Sequence, residues 1–158
     1  MTHRVLPTPR KAYRIGDAAG NYPVFSGTGA AQYPGRWNDL DEDMIYTSAT
    51  YSTALLEKLV RLGELPANQH YVEIEIAAGV SYEVVTEASL PGWISSDKSV
   101  SKAFGSAWFQ SRRSAILIVP SIVARLDENI LINPHHPDFS RINADIEKPV
   151  PWDDRLFI

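Results

Sequence analysis

Hydrophobic and polar positions alternate most cleanly from Tyr71 to Ala77, where Val72, Ile74 and Ile76 fall on one side and Glu73 and Glu75 on the other. A period of two predicts a strand with one buried and one solvated face. Ala115 to Val119 is a continuous apolar run that predicts a buried strand, and Asn129 to Asn133 predicts another. Met44 to Ser48, Tyr82 to Thr86 and a short Ala12 to Ile15 extend the set, with a last strand expected near Arg155 to Ile158. Two stretches change to helical spacing. Thr50 to Leu62, ended by Gly63, collects Leu55, Leu56, Leu59, Val60 and Leu62 on an apolar face, with Glu57 away from its middle. A second helix, capped by Asp97 and reaching about Arg113, carries Val100, Ala103, Phe104, Ala107 and Trp108 as a core stripe. Between Gly16 and Pro34, glycines and prolines predict a loop able to wrap a ligand, and Pro134 to Phe139 predicts a proline-rich connection. Residues 1–11 read as an extended lead-in to a domain of residues 12–158, and strands outnumbering helices make the fold class α+β.

Composition narrows the classes. A chain of 158 residues with 44% hydrophobic and 22% charged content fits one ordinary domain and leaves no room for a second. The net charge of −4, with scattered Lys and Arg, offers a nucleic-acid backbone no footprint, so direct DNA or RNA binding is not expected. No apolar run approaches the roughly 18–20 residues that span a bilayer, and the N-terminus lacks an apolar signal core, which points to the cytoplasm and away from a membrane. The absence of cysteine removes disulfides, a thiolate nucleophile and a Cys-based zinc site. His135 and His136 are neighbours whose side chains point apart in an extended segment, and only His3 and His70 exist besides, so no metal is expected. Glu73 and Glu75 read as a solvated sheet face.

Chemistry concentrates in Gly35-Arg36-Trp37-Asn38, followed by Tyr46 and Glu57. An arginine presents a planar fork that matches phosphate oxygens bidentately, although Arg36 also fits a surface arginine packed on Trp37. Tyr46, near the end of a strand, suits either the wall of a pocket for an aromatic ring or a place against the core. Glu57 precedes Arg61 by one helical turn, which allows an exposed ion pair; it equally suits a carboxylate that stabilises oxocarbenium-like charge on a ribose. Gly27-Thr28-Gly29 lacks the third glycine and the strand-to-helix setting of a dinucleotide fingerprint. Ser121, with His136 and Asp138, lacks the flanking glycines of a nucleophile elbow and reads as a hydrogen-bonding serine, and Asn133 before Pro134 as a turn residue.

These features, together with Val119-Pro120-Ser121 and the run Leu131-Ile132-Asn133-Pro134-His135-His136-Pro137-Asp138-Phe139, resemble the RES-domain family from about Tyr13 to Phe157. The resemblance implies a toxin of a bacterial toxin–antitoxin pair with an ADP-ribosyltransferase-like fold, an α+β domain with a split pair of antiparallel sheets around an NAD cleft. It implies Arg36, Tyr46 and Glu57 as the central NAD-site residues, Ser121 and Asn133 as cleft residues, and Arg14 as a further arginine of the site. Ser121 is preferred to Ser114 as the serine of the family name. NAD is then a consumed substrate, its ADP-ribose passing to a cellular protein target, water or phosphate. The implied partner is a cognate Xre-like antitoxin that blocks the cleft. The competing reading is a binding module that inhibits a cellular protein by occupancy.

Overall fold

A computed structural model of the chain describes residues 4–60 and 62–158. Its strands are β1 (Arg4–Val5), β2 (Arg10–Asp17), β3 (Ile45–Ser48), β4 (Gln69–Ile76), β5 (Ser81–Val84), β6 (Ile116–Pro120), β7 (Glu128–Ile132), β8 (Ile142–Ala144) and β9 (Lys148–Pro149). The helices are α1 (Thr28–Gln32), α2 (Tyr51–Leu59) and α3 (Ser99–Ser111), with 3₁₀ turns at Pro137–Arg141 and Asp154–Phe157. The α+β class holds. The strand order is β1-β5-β6-β7-β3-β2-β4-β8, with β9 also on β4. All pairs are antiparallel except β5 and β6, and α3 lies in the crossover that a parallel pair requires.

The strand path is divided into two parts. β2 lies along β4 from Arg10↔Ile76 to Asp17↔Gln69, and β3 lies along β7 from Ile45↔Ile132 to Ser48↔Asn129. Between the parts, β2 and β3 share one registered pair, Tyr13↔Ser48. The apolar run of β6 is explained by layers on both of its faces: Ile116 and Ile118 join one core cluster with Ile74, Ile76, Ile130 and Ile132, while Leu117 and Val119 join another with Trp108, Met44 and Leu131.

Several expectations need correction. Of the lead-in placed at residues 1–11, Met1, Thr2 and His3 lie outside the described residues; Arg4–Val5 pairs with Tyr82 and Ser81, and β2 already begins at Arg10. The strand expected at 155–158 is instead a 3₁₀ turn, Asp154–Phe157, capped by Asp153. α2 stops at Leu59, well before Gly63, and its burial is rotated from the apolar face read in the sequence. Thr53 and Ala54 are buried, whereas Leu56 and Val60 are 44% and 48% exposed. In α3 the buried stripe is Ser101, Gly105, Trp108 and Phe109, and Ala103 and Ala107 face outward. Asp97 accepts from the Ser99 amide, and Lys98, in the left-handed region, is the N-cap residue. Among the described residues no helix is long and apolar enough to cross a membrane.

Gly105 lets α3 approach the backbone at Trp37 closely. A Cβ there would stand 1.8 Å from the Trp37 carbonyl oxygen, so the helix rests directly on the backbone of the segment that carries Arg36, and the Ser101 hydroxyl donates to the Arg36 carbonyl at 2.9 Å. Gly105→Ala is expected to lower unfolding free energy by about 1–3 kcal/mol through overpacking. Ala107→Ser, on the exposed face, should stay within about 0.5 kcal/mol. Urea denaturation of both variants checks the contrast.

Candidate active site

Beyond the Tyr13↔Ser48 pair, β2 has no registered partner for Tyr46. Arg14 fills that space. Its Nη1 donates to the Tyr46 carbonyl at 3.0 Å and its Nε to the Val24 carbonyl at 2.6 Å, while the Val24 amide donates to Glu147 at 3.0 Å. A half-buried guanidinium therefore ties the two diverging strands to the 18–27 loop. Burial lowers its pKa from the ordinary arginine value, yet an arginine so far above neutrality keeps its charge.

Tyr46 organises the segment around Arg36. Its hydroxyl donates to Asn38 Oδ1 at 2.6 Å and accepts from the Trp37 amide at 3.0 Å. Asn38 Oδ1 also accepts from the Gly35 amide, and its Nδ2 donates to the Ala30 carbonyl, each at 2.8 Å. Any Cβ on Gly35 would lie 2.8 Å from the Tyr46 hydroxyl oxygen, so glycine permits the ring to approach this closely. Burial raises the Tyr46 pKa well above the ordinary phenol value and outweighs these hydrogen bonds, so the group stays a neutral hydroxyl at any working pH. Arg36 Nη1 donates to the carbonyls of Trp93 at 3.0 Å and Ser95 at 2.9 Å, and Trp37 stacks on Trp93 with ring centroids 6.2 Å apart.

Glu57 is delivered by a two-point clamp between α2 and β7. Thr50 caps the helix, and the hydroxyls of Thr50 and Thr53 both donate to Asp127 Oδ2; one turn later Glu57 Oε2 accepts from Asn129 Nδ2. Four residues of helix rise about 6 Å and two residues of strand about 6.8 Å, so Thr53 with Glu57 and Asp127 with Asn129 match in step. This polar match sets the rotation of α2, leaving Leu56 exposed and Val60 at the edge of the cleft. Burial raises the Glu57 pKa above its ordinary value, opposed by the hydrogen bond from Asn129.

Two lobes open around this carboxylate. The smaller, about 200 Å³, is lined by Tyr13, Arg14, Ile15, Ser48, Ala54 and Lys58 among others; the larger, about 450 Å³, by Arg36, Trp37, Lys98, Pro120, Ile122 and Val123 among others. Tyr46, Glu57 and Asn129 line both, so the lobes form one cleft. Four basic side chains, Arg14, Arg36, Lys58 and Lys98, surround the single acidic Glu57 in a protein of net charge −4. The described lining of the cleft is therefore net basic, a setting that favours an anion. Burial, then the nearby Arg14, lower the Lys58 pKa, and Asp17 opposes them.

The sequence matches the RES domain profile over residues 11–153. The chain belongs to the RES domain family. It is 40% identical over 152 residues to the Prs ADP-ribosylating toxin of Sphingobium sp. (strain YBL2), covering 91% of this chain and 94% of that protein. It is 31% identical over 133 residues to Toxin Res of Photorhabdus laumondii subsp. laumondii, with 82% and 85% covered. Toxin Res of Pseudomonas putida is 30% identical over 140 residues, with 86% and 94% covered. Among solved structures, a chain of the M. tuberculosis MbcT-MbcA toxin–antitoxin complex superposes with a TM-score of 0.69 at 16% identity, over 91% of this chain and 85% of that one, a likeness of fold.

In this RES domain, Arg14, Arg36, Tyr46 and Glu57 are brought to one cleft, whereas Ser121 and Asn133 are not among its lining residues. Both are fully buried in turns. Ser121 Oγ accepts from the Ala124 amide at 3.1 Å; Asn133 donates to the Phe109 carbonyl and accepts from the His135 amide, both at 3.0 Å. Ser114 is also buried, between Trp108 Nε1 and the Ile116 carbonyl. His136 and Asp138 make contacts with Ser81, whose buried hydroxyl accepts from the Ala115 amide. Arg61 lies outside the described residues, and with it the ion pair considered for Glu57. Among the described residues no group of three or more His, Cys, Asp or Glu side chains is placed to hold a metal ion. Sequence reading passed over Ser48, Lys58, Lys98 and Asn129. A polar Asn129 at the head of an apolar strand was the one signal available for them.

Tyr46→Phe removes one donor and one acceptor from the Arg36 segment of the RES domain. A loss of about 1–3 kcal/mol is expected. Faster amide exchange at Trp37, followed by NMR, is the local readout.

Proposed function

We propose that this RES domain is a toxin of a bacterial toxin–antitoxin pair that consumes NAD in the cytoplasm, cleaving the nicotinamide–ribose bond and passing ADP-ribose to a cellular protein, with water or phosphate as the other acceptors. A cognate Xre-like antitoxin holds it inactive by covering the cleft. The observation that carries the reading is the ring of four cations around one desolvated carboxylate in an otherwise acidic protein. Support also comes from the 40% identical relative, whose name describes ADP-ribosylation, and from the structural neighbour, solved in complex with an antitoxin.

The chemistry asks little of the protein beyond charge placement. Arg36 holds the pyrophosphate at one end, helped by Lys98, while Tyr46 forms a wall of the pocket for the nicotinamide ribose. The bond between ribose C1′ and the nicotinamide nitrogen breaks, and its electron pair neutralises the pyridinium ring. Glu57 faces the developing oxocarbenium and stabilises it electrostatically. An acceptor oxygen or nitrogen then bonds to C1′ and releases its proton to solvent. A carboxylate desolvated before reaction gains most when a cation forms beside it.

The sign of the pH dependence follows from the raised pKa. A folded-state carboxylate that protonates above its unfolded value gives stability in its protonated form at low pH, and that stability is lost as pH rises through the folded pKa. At neutral pH the ionised Glu57 therefore weakens the fold, while catalysis requires it. Glu57→Gln should keep or raise the melting temperature and reduce nicotinamide release at least about 100-fold. The acid limb of the wild-type rate should lie at higher pH than the ordinary glutamate range, because burial raises the Glu57 pKa. The assay takes purified antitoxin-free protein and the variant with NAD, with and without phosphate and in cell extract, following nicotinamide and ADP-ribose transfer. Glu57-dependent release supports the reading. No turnover in any condition, with growth inhibition retained by Glu57→Gln, would replace it with occupancy of a cellular protein.

A further inference from the structure

Resting on the reading of Glu57 as the working carboxylate, we infer that Asn129, itself oriented by Ser48, is a positioning residue that fixes which oxygen of Glu57 meets the substrate and keeps the other engaged. Ser48 and Asn129 stand directly opposite each other across β3 and β7. The Ser48 hydroxyl donates to Asn129 Oδ1 at 2.8 Å, and Asn129 Nδ2 donates to Glu57 Oε2. A carboxamide has one accepting and one donating end. With its oxygen taken by a serine that is 4% exposed, its amino group is the end turned toward the carboxylate, which as an anion can only accept. Oε2 is thereby held and Oε1 is left to the ribose.

Three features separate this from a merely structural contact. Asn129 lines both lobes of the cleft, so its amide reaches Glu57 at the place where substrate enters. Docking of α2 does not rest on it alone, because Thr50 and Thr53 hold Asp127 independently at the start of the helix. The bond from Asn129 also favours the ionised carboxylate against the desolvation that opposes it. The sequence Glu128-Asn129-Ile130 thus carries Asn129 into the head of a strand whose last three residues are apolar, for a partner that lies 72 residues away.

The test is a pair of variants, Asn129→Leu and Ser48→Ala, followed by two readouts. One is the NMR titration of the Glu57 carboxyl, assigned by comparison with Glu57→Gln; the other is the pH profile of NAD turnover with kcat and KM separated. Asn129→Leu is expected to move the Glu57 midpoint and the acid limb of kcat together to higher pH. It should lower kcat at neutral pH about ten- to a hundredfold, the weight of one charge-assisted hydrogen bond, with partial recovery as pH rises. Ser48→Ala should shift both in the same direction by less. An unmoved Glu57 midpoint, or a fall in kcat equal at every pH, would overturn the inference. If the midpoint moves in a protein whose wild type does not consume NAD, the positioning contact stands and the NAD reading falls, so the two failures are distinguishable.

Discussion

The parting of β2 from β3 after a single registered pair, Tyr13↔Ser48, is the constraint on which the rest of this structure depends. Two strands that continued side by side would satisfy each other and leave no space. Because they diverge, the Tyr46 carbonyl on one and the Val24 loop beside the other need a shared donor, and Arg14 supplies it. A buried polar backbone group without a partner is destabilising, so the arginine is a structural necessity before it is a feature of a binding site. The same divergence brings α2 over the opening and lays the 35–38 segment along its edge.

Polar matching, more than apolar burial, sets the geometry around Glu57. α2 is held by hydroxyls on Asp127 and by Glu57 on Asn129, while Leu56 is exposed and Val60 stands at the edge of the larger lobe. An arrangement that exposes leucine and valine and desolvates a carboxylate is poor for stability alone, and departures of this kind cluster at functional sites. The hydrogen bond from Asn129 offsets part of the desolvation of Glu57. The basic side chains that line the same cleft, Arg14, Arg36, Lys58 and Lys98, suit the proposed pyrophosphate.

Much of the sheet was legible in the sequence because its signals are local. Val72, Ile74 and Ile76 alternate with Glu73 and Glu75 over a half-exposed strand, and the Ala115–Val119 run reflects cores on both faces of β6. β2 was read too short because Arg10 and Lys11 look like tail residues until β4 is known to lie beside them. The face of α2 was misread since helical periodicity weighs leucines and ignores a threonine whose partner, Asp127, lies 74 residues away. Arg36, Tyr46 and Glu57 were legible as a set through family resemblance. Asn129 and Ser48 were not, because their value lies in a cross-strand register that spacing along the chain does not reveal, and Asn133 drew attention instead through its proline neighbour.

The proposed function stands or falls on whether NAD binds in the cleft at the sheet split, with Glu57 at its centre. The direct measurement is an amide NMR titration of the Glu57→Gln protein with NAD, which holds the substrate uncleaved. Saturable shifts are expected at residues 13–15, 35–38, 46–48, 54–60, Lys98, 122–123 and Asn129, lost when Arg36 is replaced by Ala. Absence of saturable shifts, or shifts centred on another face of the domain, would contradict it.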